Sequence, residues 1–463
     1  MLHAELEFRA PTIILASLLI CFAPILHAES FESQADRLAA SLPSSQLGIS
    51  VIDYVSGKTI YQHNASLLLK PASTLKLITT AEALRLLGPE FAFSTDVFAS
   101  APLASGHVKA LYLRAGADPS LDTEKLWQLA RRLKAAGLRE VDKLVLDGGG
   151  SAQALRREGQ RAYQAGATPL AFNHNSLGIV VCPAAPGQAA LVSLDPREAG
   201  FALKGSISTV AKGVGTFSVD ELPGQTAWQL GGSIASQSDC QTVYRSVSDP
   251  LSYAGRVFVE LLKQQGIAVR SGFENGVTGA DAIAVDAVIS APLSDILRDL
   301  NHYSSNFIAE QILLALGRQA PGRFERSAGI FRLTAYLNGL GFTDSQFVLA
   351  DASGLSHDNR VTADILTRVL FDMRKYEDLR TEFEYSLSVA ARNGTLKQRF
   401  QNREPLLLRG KTGTINGVSS LAGLLLSRRG RWLAFALISN GEAGRSAALA
   451  FENEFVELMA GDL

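Results

Sequence analysis

Ser73 and Lys76 stand three residues apart in the stretch Lys70-Pro71-Ala72-Ser73-Thr74-Leu75-Lys76-Leu77-Ile78. In a helix that spacing puts a hydroxyl and an amine on one face, a turn apart. A serine oxygen becomes a nucleophile when a neighbouring base takes its proton, and a lysine amine is such a base when neutral. Pro71 suits a helix entry, and Leu75, Leu77, Ile78 and Ala81-Glu82-Ala83-Leu84 carry the helix on to a stop near Leu87-Gly88-Pro89. The N–H groups at that helix start then lie close to any oxyanion formed at Ser73. Alone the pair is weak, because Ser-x-x-Lys is most often a solvated helix start.

Two further patterns change its weight. Ser304-Ser305-Asn306 supplies Ser-x-Asn and Lys411-Thr412-Gly413-Thr414 supplies Lys-Thr-Gly, and each of the three patterns occurs once in the chain. Together they offer a second hydroxyl to relay a proton, a carboxamide to bind a substrate amide, and a second cation. The ordered triple resembles that of penicillin-recognising serine enzymes. Either later pattern alone would be a loop, a helix cap or a strand-end turn.

The elements that must position these residues follow from the apolar patterning. A helix over Phe31 to Leu42, a strand over Leu47 to Asp53, a turn at Ser56-Gly57-Lys58 and a returning strand at Thr59-Ile60-Tyr61 lead to the Ser73 helix. From about Phe91 to Ala280 the character is β-rich, with strands at Val108–Arg114, Leu144–Asp147 and Leu177–Cys182, and a helix over Asp122 to Ala136. Helices return from Pro292, with Ser294 as a candidate N-cap, and continue at Asn306 to Leu316, Ser327 to Gly339 and Thr362 to Lys375. An edge-type strand at Leu406–Arg409 runs into Lys411. A strand pair turning at Arg428-Arg429-Gly430 and a helix over Ser446 to Met459 close the chain. This order predicts an α+β fold, an antiparallel sheet covered by helices. The stretch of well over two hundred residues between Lys76 and Ser304 implies extra units inserted inside the catalytic one.

Composition sets the outer bounds. With 463 residues, two or three domains are expected, and a hydrophobic content of 47% gives ample core. A net charge of −1 without a basic run argues against nucleic acid as a partner. The apolar run Ile13 to Leu26 is too short for a membrane span and suits a secretory leader cleaved after Ala28, although Glu5 and Glu7 outweigh Arg9 ahead of it. Export to the periplasm is the expectation. No transmembrane anchor is expected; peripheral membrane contact and oligomeric state stay open. Without the leader two cysteines remain, Cys182 and Cys240, either one disulfide, which export favours, or two buried thiols. His174, His302 and His357 are isolated and lack metal-ligand spacing, so neither a metal nor an organic cofactor is expected.

With these residues in view, the chain resembles the D-alanyl-D-alanine carboxypeptidases of the peptidase S13 type, the class C low-molecular-mass penicillin-binding proteins or DacB type. The likeness spans nearly the whole mature chain. Beyond the three patterns it rests on Asn306-Phe307-Ile308-Ala309-Glu310-Gln311, on Asp351-Ala352-Ser353-Gly354-Leu355-Ser356 and on the large insertion. The resemblance implies a β-lactamase/transpeptidase-like catalytic unit from residues 29–90 and 283–463, with two nested accessory domains within 91–282. It also implies peptidoglycan stem peptides as substrate and β-lactams as inhibitors, with cleavage of cross-links as a second activity.

On that resemblance Ser73 forms the acyl-enzyme and Lys76 is the base, made neutral by burial and by the second cation Lys411. Ser304 relays a proton and Asn306 binds the acyl amide. Lys411, Thr412 and Thr414 hold the terminal carboxylate beside Gly413, and the N–H groups of Ser73 and Thr414 form the oxyanion hole. The Asp351 segment is expected to be a structural turn lining the site. A β-lactamase and a non-enzymatic penicillin sensor or scaffold are the competing functions. The β-lactamase is disfavoured by the insertion and the lack of a recognisable deacylation glutamate, the sensor by the lack of a visible transmembrane signalling element, and the scaffold by Ser73, Lys76, Ser304, Asn306 and Lys411 occurring together.

Overall fold

The fold was analysed in a computed structural model, which describes residues 29–42, 45–149, 159–213, 215–401, 404, 406–441 and 444–463. The expected leader, Ile13 to Leu26 with its cleavage after Ala28, lies outside the described residues.

The Lys-Thr-Gly pattern lies on a six-stranded antiparallel sheet, and the helices that follow the other two patterns pack on it. Its order is Ser388–Val389, Leu407–Ile415, Val418–Leu426, Trp432–Gly441, Ser45–Asp53 and Thr59–His63. Val418–Leu426 and Trp432–Gly441 are buried along almost their whole length, so they read as continuous apolar runs, as expected for strands covered on both faces. On one face the sheet packs on the helices Phe31–Ala40 and Arg445–Asp462, through a core that includes Ile49, Phe435, Phe455 and Met459. On the other lie Lys76–Leu87, Leu293–His302, Asn306–Leu316 and Ala363–Met373, through a core that includes Leu77, Ile312, Leu366 and Ala436. The α+β architecture, an antiparallel sheet covered by helices, is therefore the one the sequence predicts.

The chain leaves this sheet after Leu87. Ala92–Ala99 pairs with Ile283–Pro292 at the edge of a second six-stranded sheet, which also holds His107–Arg114 and Glu140–Asp147. Between Asp147 and Ala268 the chain builds a three-stranded sheet and a four-stranded sheet. They share with the second sheet one large core that includes Leu111, Leu144, Phe172, Ile179, Trp228 and Phe258. Cys182 and Cys240 are joined, S–S 2.07 Å, at the end of two paired strands of the three-stranded sheet. The bonded alternative is the one realised.

Three local expectations are corrected. Ser294 caps nothing: the strand ending at Pro292 runs straight into the helix Leu293–His302, so Pro292 takes the N-cap position and Ser294 falls in the first turn. The strand expected at Leu406–Arg409 does not stop there: Leu407–Ile415 continues through Lys411, Thr412, Gly413 and Thr414 in register with Val418–Leu426. The serine-bearing turn is not yet α-helix: Ala72–Leu75 is a 3₁₀ turn, and the α-helix begins at Lys76.

Candidate active site

Ser73 sits at the foot of the helix Lys76–Leu87, whose side chains from Lys76 through Leu84 are all buried. The turn carrying it is pinned from several sides. The Asn440 side chain bonds both the N–H of Lys70 (2.8 Å) and its carbonyl (3.0 Å), in the manner of a strand partner. The Pro71 carbonyl accepts from Thr74 Oγ1 and from Ser420 Oγ, each at 2.7 Å. Ala72 adopts a positive φ of 49°, a conformation that costs an L residue about 1 kcal/mol or more and persists only when its surroundings hold it.

Packing against that turn needs two glycines. A Cβ on Gly354, which has φ 76°, would lie 1.8 Å from the Ala72 carbonyl. A Cβ on Gly413 would lie 2.3 Å from Ser420 Oγ and 2.9 Å from the Ser73 nitrogen. The Lys-Thr-Gly strand thereby brings its backbone against the amide of Ser73.

Lys76 is fully buried and donates to three acceptors: Ser73 Oγ at 2.8 Å, Asn306 Oδ1 at 2.8 Å and the Ser353 carbonyl at 2.6 Å. Lys411 is also fully buried and donates to Ser304 Oγ at 2.9 Å and to the Thr412 carbonyl at 2.7 Å. Burial first, and then the charge of Lys76, push the Lys411 amine well below the ordinary lysine range. Ser304 has φ 54°, and Ser305 caps the following helix by accepting from the Ile308 N–H at 3.2 Å, so the Ser-x-Asn stretch bends sharply and then starts a rigid helix.

All eight predicted residues are brought to one place. Ser73, Ser304, Thr412, Gly413 and Thr414 line a cavity of about 440 Å³, and Lys76, Asn306 and Lys411 reach it through the hydrogen bonds just described. Thr412 Oγ1 donates to Thr395 Oγ1 at 2.8 Å. Beyond the two threonines the cavity continues to Gln398, Arg399, Arg445 and Leu449. Under it lies Glu452, which accepts from Ser419 Oγ at 2.6 Å and pairs with Arg399 at 2.9 Å; burial pushes its carboxyl up against the pull of Arg399. The outer edge of Leu407–Ile415 pairs with Ser388–Val389 only at Gly410 and Arg409 among the described residues. An extended peptide could therefore add itself as a further strand from Lys411 to Ile415.

Several contributors carry no sequence signal. The Asp351 segment is a turn, as expected: Asp351 accepts from the N–H groups of Ser353 (3.2 Å), Gly354 (2.7 Å) and Ser356 (2.8 Å), and from Asn359 Nδ2 (2.8 Å). What the sequence does not reveal is that this turn aims the Ser353 carbonyl at Lys76. Asn440 and Ser420 lie in an apolar strand pair whose pattern gives no reason to single them out. Cys182 and Cys240 belong to the inserted sheets rather than to this site.

The family model described as D-Ala-D-Ala carboxypeptidase 3 (S13) matches residues 31–461. A D-alanyl-D-alanine carboxypeptidase of Actinomadura sp. (strain R39) is 32% identical over 446 residues, covering 91% of this chain and 82% of that protein. Penicillin-binding protein 4 (dacB) of Haemophilus influenzae superposes with a TM-score of 0.81 at 23% identity, over 92% of this chain and 99% of that one. A predatory peptidoglycan endopeptidase of Bdellovibrio bacteriovorus superposes with a TM-score of 0.52 at 15% identity, over 90% and 92% of the two chains.

Proposed function

The chain belongs to the D-Ala-D-Ala carboxypeptidase 3 (S13) family, and from that premise we propose that it removes the terminal D-alanine of peptidoglycan stem peptides through an acyl-enzyme on Ser73. The observation that carries this reading is the 2.8 Å contact from Lys76 Nζ to Ser73 Oγ, with Asn306 and the Ser353 carbonyl holding the amine in place.

The steps follow from that geometry. In its neutral form Lys76 keeps its two N–H bonds on Asn306 Oδ1 and the Ser353 carbonyl and turns its lone pair to the Ser73 hydroxyl, whose proton it takes as Oγ attacks the carbonyl between the two D-alanines. The oxyanion that forms is held by the N–H groups of Ser73 and Thr414, each such donor stabilising the transition state by roughly 3 kcal/mol. Collapse breaks the C–N bond, and the leaving amine takes its proton through Ser304. Water then hydrolyses the Ser73 ester with Lys76 again as base. Lys411, Thr412 and Thr414 hold the substrate's terminal carboxylate; its arrival raises the Lys411 proton affinity that burial has depressed. The bound peptide extends along the open edge of Leu407–Ile415, with Asn306 bonding its acyl amide.

Cleavage of cross-links is a second activity of the same site. The cavity of about 440 Å³ runs on past Thr412 and Thr414, leaving room for a leaving group larger than one D-alanine. β-Lactams acylate Ser73 by the same attack; the Haemophilus influenzae relative has been solved in complex with one.

The accessory units are proposed as 91–282 with the strand Ile283–Pro292 added, because it pairs with Ala92–Ala99, two units being nested by sequence one inside the other. Export to the periplasm is proposed from the apolar run Ile13 to Leu26 and is supported by the Cys182–Cys240 bond, since disulfides persist in oxidising compartments. No helix among the described residues is long and apolar enough to cross a membrane. The test incubates the mature protein with monomeric pentapeptide muropeptides and with cross-linked dimers, followed by mass spectrometry. Loss of one D-alanine from monomers, and dimers converted to monomers, are the expected products; intact pentapeptides would overturn the reading.

A further inference from the structure

A second cavity of about 640 Å³ opens beside the catalytic one and shares Ser304 with it, its walls coming from the inserted units and from the Tyr303–Phe307 stretch. Four tyrosines of the chain are more than half exposed: Tyr163 (52%), Tyr244 (55%), Tyr303 (78%) and Tyr385 (60%). Three of them, Tyr163, Tyr244 and Tyr303, line this one cavity. Exposed aromatic rings gathered on one concavity mark a surface that a ligand covers. The charged groups there are of one sign: Asp122, Glu124 and Asp195 line it, and no lysine or arginine does among the described residues. His174 adds no cation, because burial pushes its imidazole down and it packs on Phe307 with ring centroids 5.2 Å apart.

These features select a ligand chemistry. Ser304 and Asn306 join the cavity to the peptide groove, but its three carboxylates repel those of a stem peptide, so the cavity is not suited to a further stretch of that peptide. Flat rings with polar tips, beside carboxylate acceptors such as Asp195, suit a sugar. Its C–H face lies on a ring while its hydroxyl and acetamido N–H groups donate to the acids. An alkylammonium would also be attracted to acids and π faces, but a space of about 640 Å³ exceeds its needs.

We propose that this cavity is a glycan subsite, taking a neutral N-acetylated amino sugar of the strand that carries the stem peptide and so delivering the peptide to Ser73. The proposal rests on the peptidoglycan reading of the catalytic site and deepens it. It makes Tyr244 and Tyr303 specificity-determining residues outside the acyl-transfer machinery.

The experiment has two arms, run on the mature wild type and on the Tyr244→Ala and Tyr303→Ala variants. In the first, peptide-free chitotetraose is titrated calorimetrically. In the second, KM is compared for a pentapeptide with and without its disaccharide, with β-lactam acylation as the control for the catalytic site. The wild type is expected to bind chitotetraose and to show a KM roughly fivefold lower for the sugar-bearing substrate, the scale of one to two aromatic contacts. Both effects are expected to vanish in Tyr244→Ala and in Tyr303→Ala, while acylation and cleavage of the free pentapeptide are unchanged. Equal KM values in the wild type, or an advantage that survives both substitutions, would overturn the glycan subsite. So would an advantage that follows the free amine of the peptide and disappears on its acetylation, which would make the cavity an ammonium site. Failure of the catalytic reading would show separately, as absent acylation and absent pentapeptide cleavage beside intact chitotetraose binding.

Discussion

Lys411 illustrates how a single residue sets function against stability. It is fully buried, and its named hydrogen-bond partners, Ser304 Oγ and the Thr412 carbonyl, are uncharged. Because its folded pKa lies below the unfolded 10.5, the unfolded chain binds more protons between the two values. Folding stability therefore rises with pH across that window and carries the full burial penalty below it. Replacing the amine by a thioether in Lys411→Met removes this dependence. Urea midpoints of the two proteins, compared from neutral pH toward pH 10, should move in favour of the wild type as pH rises, while β-lactam acylation by the variant collapses. A parallel pH response would show that Lys411 keeps an ordinary proton affinity when folded. The residues of the three patterns were legible because their chemistry is rare in combination. The Ser353 carbonyl was not, since every residue has one, and only the Asp351 turn decides where it points.

Among the elements, the turn carrying Ser73 depends on the close approach of its neighbours. Gly354→Ala places a methyl group 1.8 Å from the Ala72 carbonyl at a φ of 76°, so the turn must shift away. A displacement of that order should slow acylation about 10²-fold and lower the melting temperature, both measurable with a chromogenic β-lactam and a thermal scan. Unchanged acylation would mean that the Asp351 turn does not position Ser73. The helices, hairpin and closing strands of this layer were readable from periodicity and turn residues. Where element boundaries differ from the sequence pattern, the causes are physical. The strand expected to end at Arg409 goes on, because pairing with Val418–Leu426 supplies the hydrogen bonds that carry it to Ile415. Ser294 looks like a cap, but the preceding strand leaves no room for a separate N-terminal turn.

Among the described residues three cores coexist, one on each face of the first sheet and one in the inserted sheets. The β-rich character of the insertion was visible in the sequence. The order of its three sheets was not, because pairings such as Ala92–Ala99 with Ile283–Pro292 join residues nearly two hundred positions apart. The Cys182–Cys240 bond closes a separation of 58 residues within the insertion, and its loss should destabilise that region by about 2–5 kcal/mol. In the Cys182→Ser/Cys240→Ser protein, proteolysis and unfolding of the insertion should come earlier while acylation of Ser73 proceeds at the wild-type rate. Slowed acylation would mean that the insertion shapes the catalytic unit directly. The central claim, that Ser73 is the nucleophile activated by Lys76, is tested most directly by intact-protein and peptide mass spectrometry after a β-lactam pulse on wild type, Ser73→Ala and Lys76→Ala. One adduct on the peptide bearing Ser73 in the wild type, and none in either variant, is the predicted result. An adduct on another residue, or undiminished labelling of Lys76→Ala, would contradict it.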